Sequence, residues 1–300
     1  MNRFFRWVFI SPAEMRLRAG WRLVLQSLLM LVIGVLVGAP AGLAALAIGL
    51  DTADLLFGQV IQFIVVTGSI FLAVRWLDRR PIAAIGLKLG RRAGVDLVAG
   101  IVISFLMMGL IYALMAALGW LTLKGFAWQV EEPFFVASSV LYILVVFLFV
   151  GWSEELLSRG YHLQTLASGL NLFWGVLLSS AVFGLLHLGN PNATWVSVAG
   201  IFLAGLFLAY GYLATRQLWL PIGLHIGWNF FEGTVFGFPV SGLDIYRLTR
   251  LTVNGPALWT GGSFGPEAGL IVLPGLLLGS ALIFLYTKFL RSTHLSWFSP

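Results

Sequence analysis

The chain contains no cysteine. That excludes disulfides, thiolate metal sites and cysteine nucleophiles. Charge is nearly as scarce: Asp, Glu, Lys and Arg make up 10% of the 300 residues, against about 25% in soluble domains. So few charges cannot cover a water-facing surface. Hydrophobic residues fill 59% of the chain instead, and the mean hydropathy is +0.95. Much of the molecule must be solvated by lipid. Acids are rarer than bases, 12 against 18, for a net charge of +6. A basic excess can mark a nucleic-acid binder. In an apolar chain it has a simpler source, because Lys and Arg collect in cytoplasmic loops, and no nucleic-acid partner is expected. Residues 1–20 carry five charged residues and no small-residue cleavage site, so they do not read as a cleaved signal peptide.

A spanning helix needs about 20 mostly apolar residues. Eight runs qualify: 23–50, 55–74, 97–118, 134–153, 172–189, 195–215, 218–238 and 268–287. The first contains Pro40 and should be kinked or tilted. With the N-terminus in the cytoplasm, 15 of the 18 basic residues fall on the inner side, leaving Lys124, Arg247 and Arg250 outside. That split favours both termini in the cytoplasm. The fold class is therefore all-α, a polytopic transmembrane bundle of about eight helices, expected in the cell membrane. The organisation that follows is a basic segment at 1–22, three helices within 23–130, a polar-bearing core at 131–238, and a loop, last helix and basic end at 239–300. The basic segments orient the protein and could touch anionic headgroups. The Gly- and Pro-rich stretch 239–267 could cap the bundle or meet a substrate. The first three runs hold no acid or histidine, so the polar groups that need explaining lie between 154 and 232.

Ionisable groups inside a bilayer cost ~2.5–3.5 kcal/mol on insertion scales and usually face a cavity. Three segments carry them. The first is Trp152-Ser153-Glu154-Glu155-Leu156-Leu157-Ser158-Arg159-Gly160. Adjacent glutamates on a helix point about 100° apart and cannot share a task. Glu155 and Arg159 stand at i, i+4 in the favourable order for an ion pair. Glu154 is left facing elsewhere as a candidate general base, with partial desolvation suiting it to that work near neutral pH. Read alone, the two glutamates could equally mark the membrane boundary. The second segment is Phe183-Gly184-Leu185-Leu186-His187, and a lone histidine there is more often a hydrogen-bonded core residue. The third is His225-Ile226-Gly227-Trp228-Asn229. Its His and Asn share one face and could hold a water, a metal or a developing oxyanion, or serve as polar glue between helices.

Ser168-Gly169-Leu170-Asn171 reads as a turn. Glu154 and His187 lie nearly equidistant from it, so an antiparallel hairpin should set them at one level. A fourth helix that continues past Glu154 would keep both in the inner half of the bilayer. His225 is about seven residues into its helix, ~10 Å at 1.5 Å per residue. Pro221 and Gly223 before it allow bending and close approach.

Glu-Glu-x-x-x-Arg, Phe-x-x-x-His and His-x-x-x-Asn on successive apolar helices resemble the CAAX protease and bacteriocin-processing family (CPBP, the Abi group), which includes the type II CAAX prenyl endopeptidases. The resemblance covers about 150–232. It implies an eight-helix core and an intramembrane endopeptidase acting on a protein or peptide substrate, membrane-associated or prenylated. It implies water activation by Glu154 and His187, oxyanion stabilisation by His225 and Asn229, and support from Glu155 and Arg159. No cofactor is required. Two histidines and a carboxylate could bind Zn²⁺ with an open position, which leaves a zinc protease as a second reading, although no His-Glu-x-x-His signature is present. A non-catalytic scaffold or bacteriocin-immunity protein is a third. A transporter would need inverted repeats, and none is visible. Oligomeric state is not encoded in any of these features.

Overall fold

The computed structural model describes residues 8–12, 14–51 and 53–292, the last two as backbone only. Arg3 and Arg6 and the side chain of Arg291 lie outside the described residues. The helices in chain order are α1 (Ala19–Ala47), α2 (Leu55–Leu77), α3 (Arg91–Ala117), α4 (Pro133–Gly169), α5 (Leu172–Gly189), α6 (Trp195–Thr215), α7 (219–235) and α8 (Val272–Ser292). Strands β1 (Leu121–Phe126) and β2 (Thr249–Val253) pair antiparallel, with a bulge between Leu123 and Gly125.

Seven helices among the described residues are long and apolar enough to cross a membrane, one fewer than the runs suggested. The exception is α7. Its regular part, Trp219–Asn229, has 11 residues and its π-helical continuation, Phe230–Val235, has 6. Every residue from Leu220 to Asn229 is buried. A helix sheathed in protein does not have to match the bilayer thickness, and its apolar composition reflects core packing instead. By contrast α4 is 37 residues long, about 55 Å at 1.5 Å per residue, well beyond the ~30 Å hydrocarbon layer. In α1 a π segment, Gly34–Gly38, comes just before Pro40. The missing proline N–H is absorbed there by a local change of helix winding.

The chain forms two compact units, 1–89 with 148–179, and 90–147 with 180–300. In the first, α1 and α2 pack together and Gln26 Nε2 donates to Ser69 Oγ at 3.2 Å. Arg22, fully buried, donates to Asp78 at 2.7 Å, Glu14 at 2.9 Å and Ser168 at 2.6 Å. Arg16 pairs with Glu14, and Arg80 with Asp78 at 3.1 Å. The Arg16 guanidinium holds the Glu14 carboxyl below its usual range, partly opposed by burial. Arg16, Arg22 and Arg80 were counted as loop charges, and each has an acidic partner.

In the second unit α3 is the hub. Met107, Met108, Ile111 and Met115 of α3 form a fully buried core with Leu220 of α7 and Ile283 of α8. The α3 helix begins at Arg91, earlier than its apolar run, and so takes in an acid where none was expected. Asp96 is fully buried in its second turn, accepts a hydrogen bond from Tyr286 at 2.6 Å and lies 3.6 Å from Arg92. Helices α3 and α7 meet backbone to backbone. A Cβ at Gly100 would stand 2.5 Å from the Leu220 carbonyl oxygen, one at Gly227 3.0 Å from Ile101 Cα, and one at Gly223 would collide with the Leu97 carbonyl. Ser104 Oγ donates to the Leu224 carbonyl at 2.6 Å across the same seam.

This seam yields a test. Gly223→Ala should lower unfolding stability in detergent by about 1–3 kcal/mol, the usual range for overpacking, because backbone rather than a mobile side chain blocks the new methyl. Gly94→Ala, also on α3 but with nothing within 4 Å, should leave the thermal midpoint unchanged or slightly raised. Equal midpoints for the two variants would contradict the seam.

Candidate active site

In the first unit the regular part of α4 ends at Glu155, and a π turn covering Leu156–His162 follows directly. Glu155 is fully buried and Glu154 only partly so, as expected for side chains about 100° apart. Arg159 Nη1 donates to Glu155 Oε1 at 2.8 Å, and both side chains are out of solvent. Glu154 is a second carboxylate within electrostatic reach of that guanidinium. The surroundings fix this stretch: Trp152 Nε1 donates to Thr67 Oγ1 at 2.9 Å, and Gln164 Nε2 donates to the Ile85 carbonyl at 2.8 Å. Burying an arginine in an apolar setting is tolerable only with its carboxylate in place.

The second unit holds His187, His225 and Asn229. His187 opens the 3₁₀ turn His187–Gly189 that ends α5. Its Nδ1 lies 2.8 Å from the Phe183 carbonyl oxygen. A carbonyl only accepts, so Nδ1 carries the proton, and in the neutral ring Nε2 is the acceptor nitrogen. The Phe183 ring stands 4.8 Å from the His187 ring and 6.0 Å from the His225 ring, perpendicular to the latter. The structure therefore brings the two histidines to one aromatic ring, which explains the phenylalanine of Phe-x-x-x-His. His225 and Asn229, 7% and 6% exposed, follow the Gly223 contact on one face of α7. The π turn Phe230–Val235 begins immediately after Asn229. Irregular helix geometry thus adjoins all three motifs, a frequent trait of functional sites.

Two residues escaped the sequence reading. Glu232, fully buried, lies seven residues after His225 on the π turn that follows Asn229, a spacing that could have flagged it. Glu267 was assigned to an outer loop, yet it is 5% exposed and its carboxylate accepts from Trp228 Nε1 at 3.0 Å and from Ser241 N and Oγ at 2.9 and 2.6 Å. Burial pushes the Glu267 carboxyl above its ordinary range, opposed by the Ser241 hydrogen bonds and by nearby His187. Nothing in the local sequence links it to α7.

Removing one partner of the Glu155–Arg159 pair strands the other. Glu155→Gln should destabilise the protein by about 3–5 kcal/mol, and Glu155→Leu with Arg159→Leu should recover most of the loss. Thermal unfolding in detergent checks this, and a double variant no more stable than Glu155→Gln would refute the pairing argument.

Residues 136–231 match the family model described as Type II CAAX prenyl endopeptidase Rce1-like. The matched segment, just under a third of the chain, contains Glu154, Glu155, Arg159, His187, His225 and Asn229. Comparison with curated proteins and with solved structures gave no match. The described residues hold seven membrane-competent helices, as a multi-pass membrane protein requires, and the matched segment is similar to the CPBP/CAAX proteases, a likeness that supports intramembrane endopeptidase cleavage in general.

Proposed function

We propose that the protein hydrolyses a peptide bond of a membrane-associated or prenylated protein or peptide, using a water activated by Glu154 and His187. The observation that supports this best is the pairing of His225 and Asn229 on a buried face of α7, with Phe183 linking His225 to His187. Two buried donors on one face suit an oxyanion. Asn229 Nδ2 and a His225 ring N–H would hold the carbonyl oxygen as it gains charge, and a dry site strengthens both bonds. Glu154 takes a proton from the water as its oxygen attacks the carbonyl carbon. The same proton then passes to the departing amine as the C–N bond breaks. His187, with Nε2 as acceptor, orients that water. The equidistance of Glu154 and His187 from the turn at 168–171 is the sequence argument for their joint action.

In this reading 131–238 is the catalytic core, Glu155 and Arg159 hold Glu154 in place, and the termini face the cytoplasm of a cell membrane. Among the described residues no three histidine, aspartate or glutamate side chains cluster as a metal site would require, and the proposed chemistry uses none. The zinc reading would be separated by its response to chelators. The scaffold reading would be separated by any cleavage at all.

The test is cleavage of prenylated and unprenylated peptides by the purified protein in liposomes. Glu154→Gln should reduce the rate by ~10²–10⁴, and Asn229→Ala by ~10²–10³, each with the thermal midpoint of the parent. Parental cleavage by Glu154→Gln would sink the mechanism.

A further inference from the structure

The second unit buries two carboxyl groups that the proposed chemistry does not use. Glu232 of α7 is 0% exposed, and its carboxyl lies against that of Glu267, 5% exposed, on the short turn Pro266–Ala268 before α8. The loop backbone presses on this contact. Gly265, at φ +115°, leaves no room for a side chain between the Pro239 carbonyl and Glu232 Oε1.

The hydrogen bonds divide unequally. Glu267 receives three, one from Trp228 Nε1 and two from Ser241. Neither oxygen of Glu232 accepts one among the described residues, and the Trp228 indole N–H, which also faces it, is directed at Glu267. Two carboxylates in contact and out of water cannot both be ionised. The donors favour charge on Glu267, so the proton sits on Glu232 and is donated to its neighbour. The chain of bonds continues: Asn190 Nδ2 donates to the Ser241 carbonyl at 3.0 Å, three residues beyond His187. The groups of opposite or variable charge facing the pair are each other and His187.

We infer that Glu232 and Glu267 share one buried proton and act as positioning residues, tying the α7 face that carries His225 and Asn229 to the 239–268 loop and to the turn that carries His187. The effect on cleavage rests on the proteolytic reading above, whereas the shared proton does not.

The experiment compares parent, Glu232→Gln and Glu267→Gln in detergent from pH 7.5 to 9.5. An acid whose proton is retained on folding loses stability as pH climbs from the ordinary carboxylate range towards its folded value. Parental Tm should therefore fall relative to Glu232→Gln, whose amide makes the same donation and cannot titrate, by ~2–4 °C per pH unit. Parallel Tm profiles, or a Glu232→Gln chain that does not fold, would overturn the shared proton. In the peptide assay Glu232→Gln should keep kcat within about twofold, while Glu267→Gln should lower kcat about tenfold or more with KM unchanged. Equal losses in the two variants, or a change in KM alone, would overturn the positioning role. If even the parent cleaves nothing, the proteolytic reading fails, and the Tm comparison still decides the proton.

Discussion

Three glycines let α3 and α7 approach until backbone meets backbone, and the placement of His225 and Asn229 depends on that approach. In a bilayer the hydrophobic effect does little to drive helices together, because lipid tails are as apolar as leucine. Small residues that permit close packing do that work. Gly100 on one helix and Gly223 and Gly227 on the other open the seam, and Ser104 closes it with a hydrogen bond to the Leu224 carbonyl. Once α7 is enclosed, it can carry a histidine, an asparagine and a glutamate at i, i+4 and i+7. The same residues facing lipid would each add several kcal/mol of insertion cost. Enclosure and polar side chains thus go together: the shortest of the eight helices, sheathed in protein, is the one that carries them.

A second regularity concerns winding. The Glu154-Glu155 pair ends a regular helix and a π turn takes over at Leu156. Asn229 ends another regular stretch, with a π turn from Phe230. A π turn inserts an extra residue per turn, which shifts the angular positions of everything after it. Arg159 and Glu232 therefore sit at directions that simple 100° counting would misplace by part of a turn. The Glu155–Arg159 bond at 2.8 Å survives this shift, because an arginine side chain is long enough to absorb it.

Composition and hydropathy were enough to read a polytopic helical bundle, since a chain with 10% charge has few other options. The enclosure of the seventh run was not legible, because a fully buried core helix and a lipid-facing helix share the same apolar composition, and periodicity cannot separate them. Charge counting registers the sign of Arg16, Arg22 and Arg80 but not the acids they meet, so the ion-pair network built on Asp78 was not legible in it. The motif residues were legible because each carries a short-range spacing. Glu267 was not, because its partner lies 35 positions away in the chain across an irregular loop.

That loop is what turns α7 from a packed helix into a defined site. Residues 239–268 hold only β2 and two short helical turns, and the parts that meet α6 and α7, around 240–242 and 264–268, are buried. Burying an irregular backbone requires each of its polar groups to find a partner. Here Gly242 N donates to the Phe264 carbonyl and Ala268 N to the Gly265 carbonyl, while Gly242, Gly261 and Gly265 adopt positive φ where a side chain would strike backbone. Gly200 of α6 clears space for the Glu267 carbonyl. The glycines that marked this stretch as a candidate cap are a condition for its burial. They let the loop sink against α6 and α7 and bring its carboxylate to Trp228. The polar face of α7 is consequently bounded by protein on its loop side as well as along the α3 seam. A helix held on both sides keeps His225 and Asn229 in fixed directions, which is what the proposed oxyanion role would need, since preorganised dipoles stabilise charge without having to move.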